Sequence, residues 1–139
     1  MNWLPWALLS ALFAGLTAVL AKVGVGRIDS NLATAIRTAV ILVFTWVIAA
    51  WTMKEGALAA ISRKTWLFLV LSAVATGLSW LCYFRALQLG EVSKVAPIDK
   101  LSVVIAILIS ICCFGERLNL RESCGAGLIV LGALLLAWK

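Results

Sequence analysis

Long runs of apolar residues alternate with short polar links along the whole chain. A helix needs about 20 apolar residues to cross a hydrocarbon core about 30 Å thick, and five runs approach or exceed that length. The pattern predicts an all-α integral membrane protein with five transmembrane helices in a single domain, residues 1–139. The predicted spans are about residues 3–23, 32–51, 66–89, 95–114 and 124–138.

Two of the runs carry polar residues at helical spacing. The second span has Thr34, Arg37, Thr38 and Thr45 on one side, and the third has Ser72, Thr76, Ser79 and Tyr83. Such stripes should face protein or water, so they either line a polar cavity or form hydrogen bonds between helices. Arg37 lies deep enough to need a partner, although its long side chain could also reach the interface.

Charge and breaks in the helix coincide between Tyr83 and Ser102. Gly90 and Pro97 are expected to interrupt helices there, although Pro97 also suits the first turn of a helix. Asp99 and Lys100 follow inside an apolar run, where charge is costly unless it is paired or hydrated. The expected partners are Arg37, Arg85 and Lys22 for Asp99, and a carboxylate of the next link for Arg85. Lys22 ends the first span, where reaching water is its alternative role.

Composition excludes several classes of protein. Hydrophobic residues make up 64% of the 139 residues, which fits a membrane protein and not a soluble domain. The net charge of +6 is spread between the apolar runs, so it indicates membrane topology and no nucleic acid partner. The chain has no histidine, and its four cysteines show no CxxC spacing, so no metal or cofactor is expected. The sequence shows no acid pair and no activated nucleophile, so we do not expect an enzyme.

The basic residues show almost no bias between the two membrane faces. With five spans, five of the twelve lysines and arginines fall on one side and seven on the other. The first group is Lys54, Arg63, Lys64, Arg117 and Arg121, and the second is Lys22, Arg27, Arg37, Arg85, Lys94, Lys100 and Lys139. Because the excess of positive charge sets orientation, this chain suits dual topology and an antiparallel homodimer.

Small residues line the first and fifth spans, for example Gly15 and Ala18 in the first and Gly125 and Gly132 in the fifth. Such faces either pack closely against another helix or widen a cavity. For the fifth span we expect a contact surface, which a second copy of the protein could occupy.

The segments ALQLGEVSKVAPIDKLSVV and FGERLNLRESCGAGLIVLGALLL resemble the C-terminal half of an EamA domain of the drug/metabolite transporter superfamily. The five spans and Arg37 early in the second span extend the resemblance over the whole chain. It is closest to the single-domain, five-helix bacterial and archaeal branch. The first span lacks the glutamate of small multidrug resistance proteins, which argues against that group's cation–proton exchange. Many EamA domains have a proline where this chain has Lys100, Leu101 and Ser102.

The resemblance implies one half of an inverted-repeat transporter, with a solute site near the bilayer midplane completed by dimerisation. The expected function is secondary transport, as an exporter, of small metabolites or drug-like solutes by alternating access in a bacterial or archaeal cytoplasmic membrane. Alternatives are a flippase of lipid-linked substrates and a non-transporting membrane subunit. The expected substrate-binding or gating residues are Lys22, Arg37, Thr38, Ser79, Tyr83, Arg85, Pro97, Asp99, Lys100 and Ser102.

Overall fold

The computed structural model describes residues 2–138 and consists mostly of apolar helices. Lys139, one of the basic residues counted above, lies outside the described residues. Within that range the six α-helices are α1 Leu4–Val25, α2 Ser30–Thr52, α3 Arg63–Leu89, α4 Val92–Asp99, α5 Leu101–Phe114 and α6 Leu120–Ala137. Five segments are long and apolar enough to cross a membrane, with α4 and α5 together forming the fourth, Val92–Phe114. The predicted all-α fold with five spans is confirmed.

The chain divides into two compact units. One unit takes the chain up to Leu20 and from Leu89 onward, and the other is Ala21–Gln88. In the first unit, α6 packs against both α4 and α5. The second unit contains the C-terminal turn of α1, all of α2 and most of α3.

Most large apolar side chains in the helices are exposed, and the buried apolar residues within 2–138 are few. They are Ala18, Val25, Ala33, Phe84, Leu87 and Ala133. Exposed leucine, valine and phenylalanine along every long helix are expected when hydrocarbon, and not water, surrounds the protein.

Local hydrogen bonds explain where several helices begin and end. Asp29 caps α2, because its Oδ1 atom accepts hydrogen bonds from the backbone N–H groups of Asn31 at 2.8 Å and Leu32 at 3.1 Å. Gly115 ends α5 in the left-handed conformation, with φ of 67°. α6 begins at Leu120, before the predicted start near residue 124, because Asn119 and Glu122 form a capping box.

Replacing Asn119 with alanine should destabilise the folded protein by about 1 kcal/mol, the usual cost of losing an N-cap. The Asn119 Oδ1 atom accepts from the Glu122 N–H at 2.9 Å, and the Glu122 carboxylate accepts from the Asn119 N–H at 2.8 Å. Unfolding of the detergent-solubilised protein, followed by circular dichroism, would measure the change. Asn31→Ala is a matched control on an exposed asparagine, and an equal loss in both variants would contradict the capping role.

The fourth span is interrupted between Asp99 and Leu101. Pro97 lies inside α4, and because it has no N–H, the helical hydrogen bond to the Ser93 carbonyl is missing. The next two backbone hydrogen bonds span three residues instead of four. The Lys100 N–H donates to the Pro97 carbonyl at 3.1 Å, and the Val103 N–H donates to the Lys100 carbonyl at 3.0 Å. Pro97 therefore does not occupy the first turn of the span, and the break in the helix follows it by about one turn.

Candidate functional site

Arg37 is half-buried between aromatic rings of α3, in the Ala21–Gln88 unit. Its guanidinium carbon lies 4.3 Å from the centroid of the Trp80 ring and 5.4 Å from that of Phe84. Trp80 and Phe84 are four residues apart, so they occupy one face of α3. Tyr83 also interacts electrostatically with Arg37. The sequence predicts that Arg37 needs a partner, and the structure supplies aromatic rings.

The ring contacts leave part of the arginine's binding capacity unused. Aromatic rings attract a guanidinium through its flat face, whereas its N–H donors point outward in the plane. The ion pairs within residues 2–138 are Glu91–Lys94 and Asp99–Lys100, so no carboxylate neutralises Arg37. Its position is about 10 Å along the helix from Ser30, at 1.5 Å per residue. An uncompensated cation at that depth favours an anionic partner that binds in the guanidinium plane.

A second polar cluster joins the C-terminal ends of α1 and α3. The Lys22 Nζ atom donates to the Leu87 carbonyl at 2.6 Å, and the Gln88 Nε2 atom donates to the Ile28 carbonyl at 3.0 Å and, more weakly, to that of Val25 at 3.4 Å. The Leu87 and Val25 carbonyls lie in the last turns of α3 and α1, where helical partners are missing, and the Ile28 carbonyl lies in the α1–α2 link. The two side chains therefore satisfy carbonyl groups that no helix satisfies. Leu87 and Val25 are fully buried at this junction. We call these contacts the α1–α3 junction.

Replacing Lys22 with methionine should destabilise the protein by about 1–3 kcal/mol, because the Leu87 carbonyl loses a charge-assisted hydrogen bond. Methionine preserves most of the apolar stem, so the change tests the hydrogen bond and not the packing. Thermal unfolding in detergent would measure it. Lys94→Met is the control, since the ion pair of Lys94 within residues 2–138 is a local one with Glu91, the N-cap residue of α4. Equal unfolding temperatures for Lys22→Met and the unchanged protein would contradict the prediction.

Arg85 belongs to the α1–α3 junction through Gln88. Its Nη1 atom donates to the Gln88 Oε1 atom at 2.6 Å, while the rest of the side chain is exposed. The predicted carboxylate partner from the next link was wrong, because Glu91 pairs with Lys94 at 3.0 Å. Gln88 is one helical turn beyond Arg85 on the same face, which places its amide within reach.

Hydroxyl groups of the predicted polar stripes bond to their own helices. The Thr38 hydroxyl donates to the Thr34 carbonyl at 2.7 Å, and the Thr76 hydroxyl donates to the Ser72 carbonyl at 2.9 Å. Thr34 and Thr45 bond in the same way. These donors therefore do not form bonds between helices, which was one of the two alternatives for the stripes, and their oxygen atoms keep the capacity to accept. Ser79 is exposed.

The remaining predicted site residues lie in the other unit, around the break of the fourth span. Asp99 and Lys100 form a loose ion pair with each other, with 3.8 Å between Oδ2 and Nζ. Pro97 and Lys100 border an open, mainly apolar groove of about 580 Å³ between α4, α5 and α6. Gly132 on α6 borders it too, and an added Cβ atom there would meet nothing within 4 Å. Ser102 is exposed at the start of α5.

Three residues that the sequence analysis missed now stand out: Trp80, Phe84 and Gln88. They follow one another at intervals of four residues, which places them on one face of α3. That spacing was visible in the sequence, but aromatic residues are so common in these spans that it did not distinguish the contact with Arg37. Gln88 was hidden because its partners are backbone carbonyls, which have no signature in the sequence.

Comparisons with known proteins agree with these features. The model of the EamA-like transporter family matches residues 1–138. A protein of Sinorhizobium sp, described as an uncharacterized transporter in the cobO 3′ region, is 54% identical over 136 residues, which are 98% of this chain and 96% of the relative. No solved structure matches the chain.

Five apolar spans and an arginine held inside one of them define a multi-pass membrane protein with a polar site, and the matches place it in the transporter class. The chain belongs to the EamA-like transporter family, as the sequence predicts. Its location is therefore a membrane, and its role is transport.

Proposed function

We propose that this protein is a secondary transporter that exports small anionic or zwitterionic solutes by alternating access. The observation that carries the proposal is Arg37, a half-buried cation in a membrane span that contacts aromatic rings but no carboxylate within residues 2–138. Keeping an arginine in hydrocarbon costs about 3 kcal/mol or more, so such residues mark the paths of substrates and ions through membrane proteins.

In this proposal Trp80 and Phe84 hold the guanidinium by its face, and the solute's carboxylate or phosphate binds its N–H edge. Two parallel N–H···O bonds would orient the solute, and charge assistance makes them stronger than neutral hydrogen bonds. Thr38, one residue after Arg37, contributes the acceptor oxygen that its own helix leaves unused.

A homodimer supplies the second half of the transport path. A five-helix domain corresponds to one of the two inverted repeats of larger transporters, whose solute sites lie where the repeats meet. The nearly equal distribution of basic residues on the two sides favours an antiparallel arrangement of the protomers. Pro97, Asp99 and Lys100 then act in gating, because an interrupted helix can change its angle more easily than a continuous one.

The test is flux in proteoliposomes that contain the purified protein. Labelled small solutes of negative, zwitterionic and positive charge would be offered under an imposed ion or pH gradient. We expect saturable flux for the first two classes and none for the third. Cation-selective flux, or no flux of any solute under any gradient, would contradict the proposal. The same vesicles, loaded with fluorescent lipid, would reveal a flippase through scrambling of that lipid.

Reporter fusions at the C-terminus test the proposed dimer. Signals from both sides of the membrane would support antiparallel protomers, and a signal from one side would require a parallel dimer or a different partner. A non-transporting subunit would respond differently to substitution of Arg37. The amount of protein in the membrane would fall, and no solute flux would change.

A further inference from the structure

Arg85 makes a side-chain hydrogen bond but no ion pair within the described part of the chain. Its Nη1 atom bonds to Gln88 Oε1 at 2.6 Å, and the ion pairs within residues 2–138 are formed by other side chains. Asp29 is the nearby acid of the α1–α2 link, and its Oδ1 atom caps α2. The positive charge of Arg85 is therefore not neutralised inside the Ala21–Gln88 unit.

Gln88 determines how Arg85 is held. Its amide lies next to two carbonyl groups, those of Ile28 and Val25, at 3.0 and 3.4 Å. Since carbonyl oxygens only accept hydrogen bonds, the NH₂ group must face them, which leaves Oε1 toward the arginine. One guanidinium N–H is used in this contact. The other donors lie on an exposed side chain.

The depth of Arg85 matches the phosphate region of a bilayer. It lies four residues before the last residue of α3, about 6 Å along the axis at 1.5 Å per residue. The α1–α3 junction places the end of α1 at the same level, where a hydrocarbon span gives way to the headgroup layer. Arg27, in the link that Gln88 contacts through Ile28, adds a second positive charge at this end.

The neighbours of Arg85 on the same face of α3 are apolar and exposed. Leu81 precedes it by one turn and is 38% exposed, and Leu89 follows by one turn and is 73% exposed. Leu78, one turn further from the helix end, is 60% exposed. A ligand that fits this face has an anionic group at Arg85 and a long apolar part along Leu81 and Leu78.

We propose that Arg85, oriented by Gln88, binds the phosphate of an anionic phospholipid, with Arg27 adding charge and the leucines of α3 contacting an acyl chain. The planar guanidinium suits two oxygens of a phosphodiester. This role differs from the solute-binding one that the sequence predicts for Arg85, and it does not depend on which solute is transported.

The experiment compares lipid binding by native mass spectrometry of the full-length protein. Phosphatidylglycerol and phosphatidylcholine with identical acyl chains are titrated, and the ratio of their dissociation constants gives the headgroup preference. We expect Arg85→Gln to reduce the preference for phosphatidylglycerol about five- to tenfold, because each basic residue at a membrane surface contributes about 1 kcal/mol and the paired hydrogen bonds add to it. Arg85→Lys keeps the charge but cannot form two parallel hydrogen bonds. Its preference for phosphatidylglycerol should lie between those of Arg85→Gln and the unchanged protein.

Arg63→Gln is the control, because Arg63 is an exposed arginine at the opposite end of α3. It carries only the general contribution of a surface charge, so it should reduce the preference less than Arg85→Gln does. An unchanged preference in Arg85→Gln would overturn the proposal, and so would equal losses in both variants. Displacement of phosphatidylglycerol by millimolar glycerol phosphate would assign a site for free phosphate instead. If Arg85→Gln changes only the fraction of dimer, a second copy of the chain covers this face and the lipid site is excluded.

Discussion

Replacing Arg37 with glutamine is expected to reduce solute flux in proteoliposomes by about ten- to a hundredfold. Glutamine retains hydrogen-bonding groups but loses the charge and the paired N–H donors, and hydrogen bonds to charged groups are worth about 1.5–3 kcal/mol each. The contacts with Trp80 and Phe84 at 4.3 and 5.4 Å would be lost too. Initial rates at several solute concentrations would separate weaker binding from slower translocation.

Two further variants make this result specific. Arg37→Lys keeps the charge on a point-like ammonium and should recover part of the flux, because lysine cannot bind two oxygens in one plane. Arg63→Gln removes an exposed arginine of α3 and should transport like the unchanged protein. Full flux in Arg37→Gln, at equal amounts of reconstituted protein, would exclude a role for this arginine in the transport path.

Replacing Phe84 with alanine should produce the largest loss of stability, about 3–5 kcal/mol. Phe84 is 3% exposed, and its ring also contacts the Arg37 guanidinium. Alanine would leave a cavity on α3 and remove one of the two rings that hold the charge. Unfolding in mixed micelles of increasing denaturing detergent would measure the difference.

Phe68→Ala is the matched control, since Phe68 lies on the same helix and is 59% exposed. Its loss should stay below about 1 kcal/mol, because surface substitutions away from packed contacts have small effects. Phe84→Leu fills most of the cavity but has no ring, so its loss combines the remaining packing defect with the cation–π contact, which is worth about 0.5–2 kcal/mol. Similar destabilisation by Phe84→Ala and Phe68→Ala would show that Phe84 has no special packing role.

The candidate site could be predicted only in part. The sequence predicts that Arg37 needs a partner, because a charged residue in an apolar run is costly wherever the helix lies. It did not identify the aromatic partners, since nothing in one helix shows which face of another it meets. The stripes of hydroxyl groups left two alternatives open, a polar cavity or bonds between helices, and the second does not hold because threonine in a helix readily bonds to the carbonyl four residues earlier. The sequence also led to a carboxylate as the expected partner of Arg85, because opposite charges attract. In the structure its partner is the side-chain amide of Gln88, which lies one helical turn away.

Hydrophobic runs of suitable length by themselves determined the class of this protein, its five spans and its helical fold, because hydrocarbon leaves the backbone no other partner than its own helix. The sequence also predicted the break near Pro97, since proline has no N–H to donate. The tertiary structure alone decided that Arg37 meets Trp80 and Phe84, and that Lys22 and Gln88 satisfy the carbonyl groups at the α1–α3 junction. Those contacts join residues more than forty positions apart, and their geometry depends on how the helices pack.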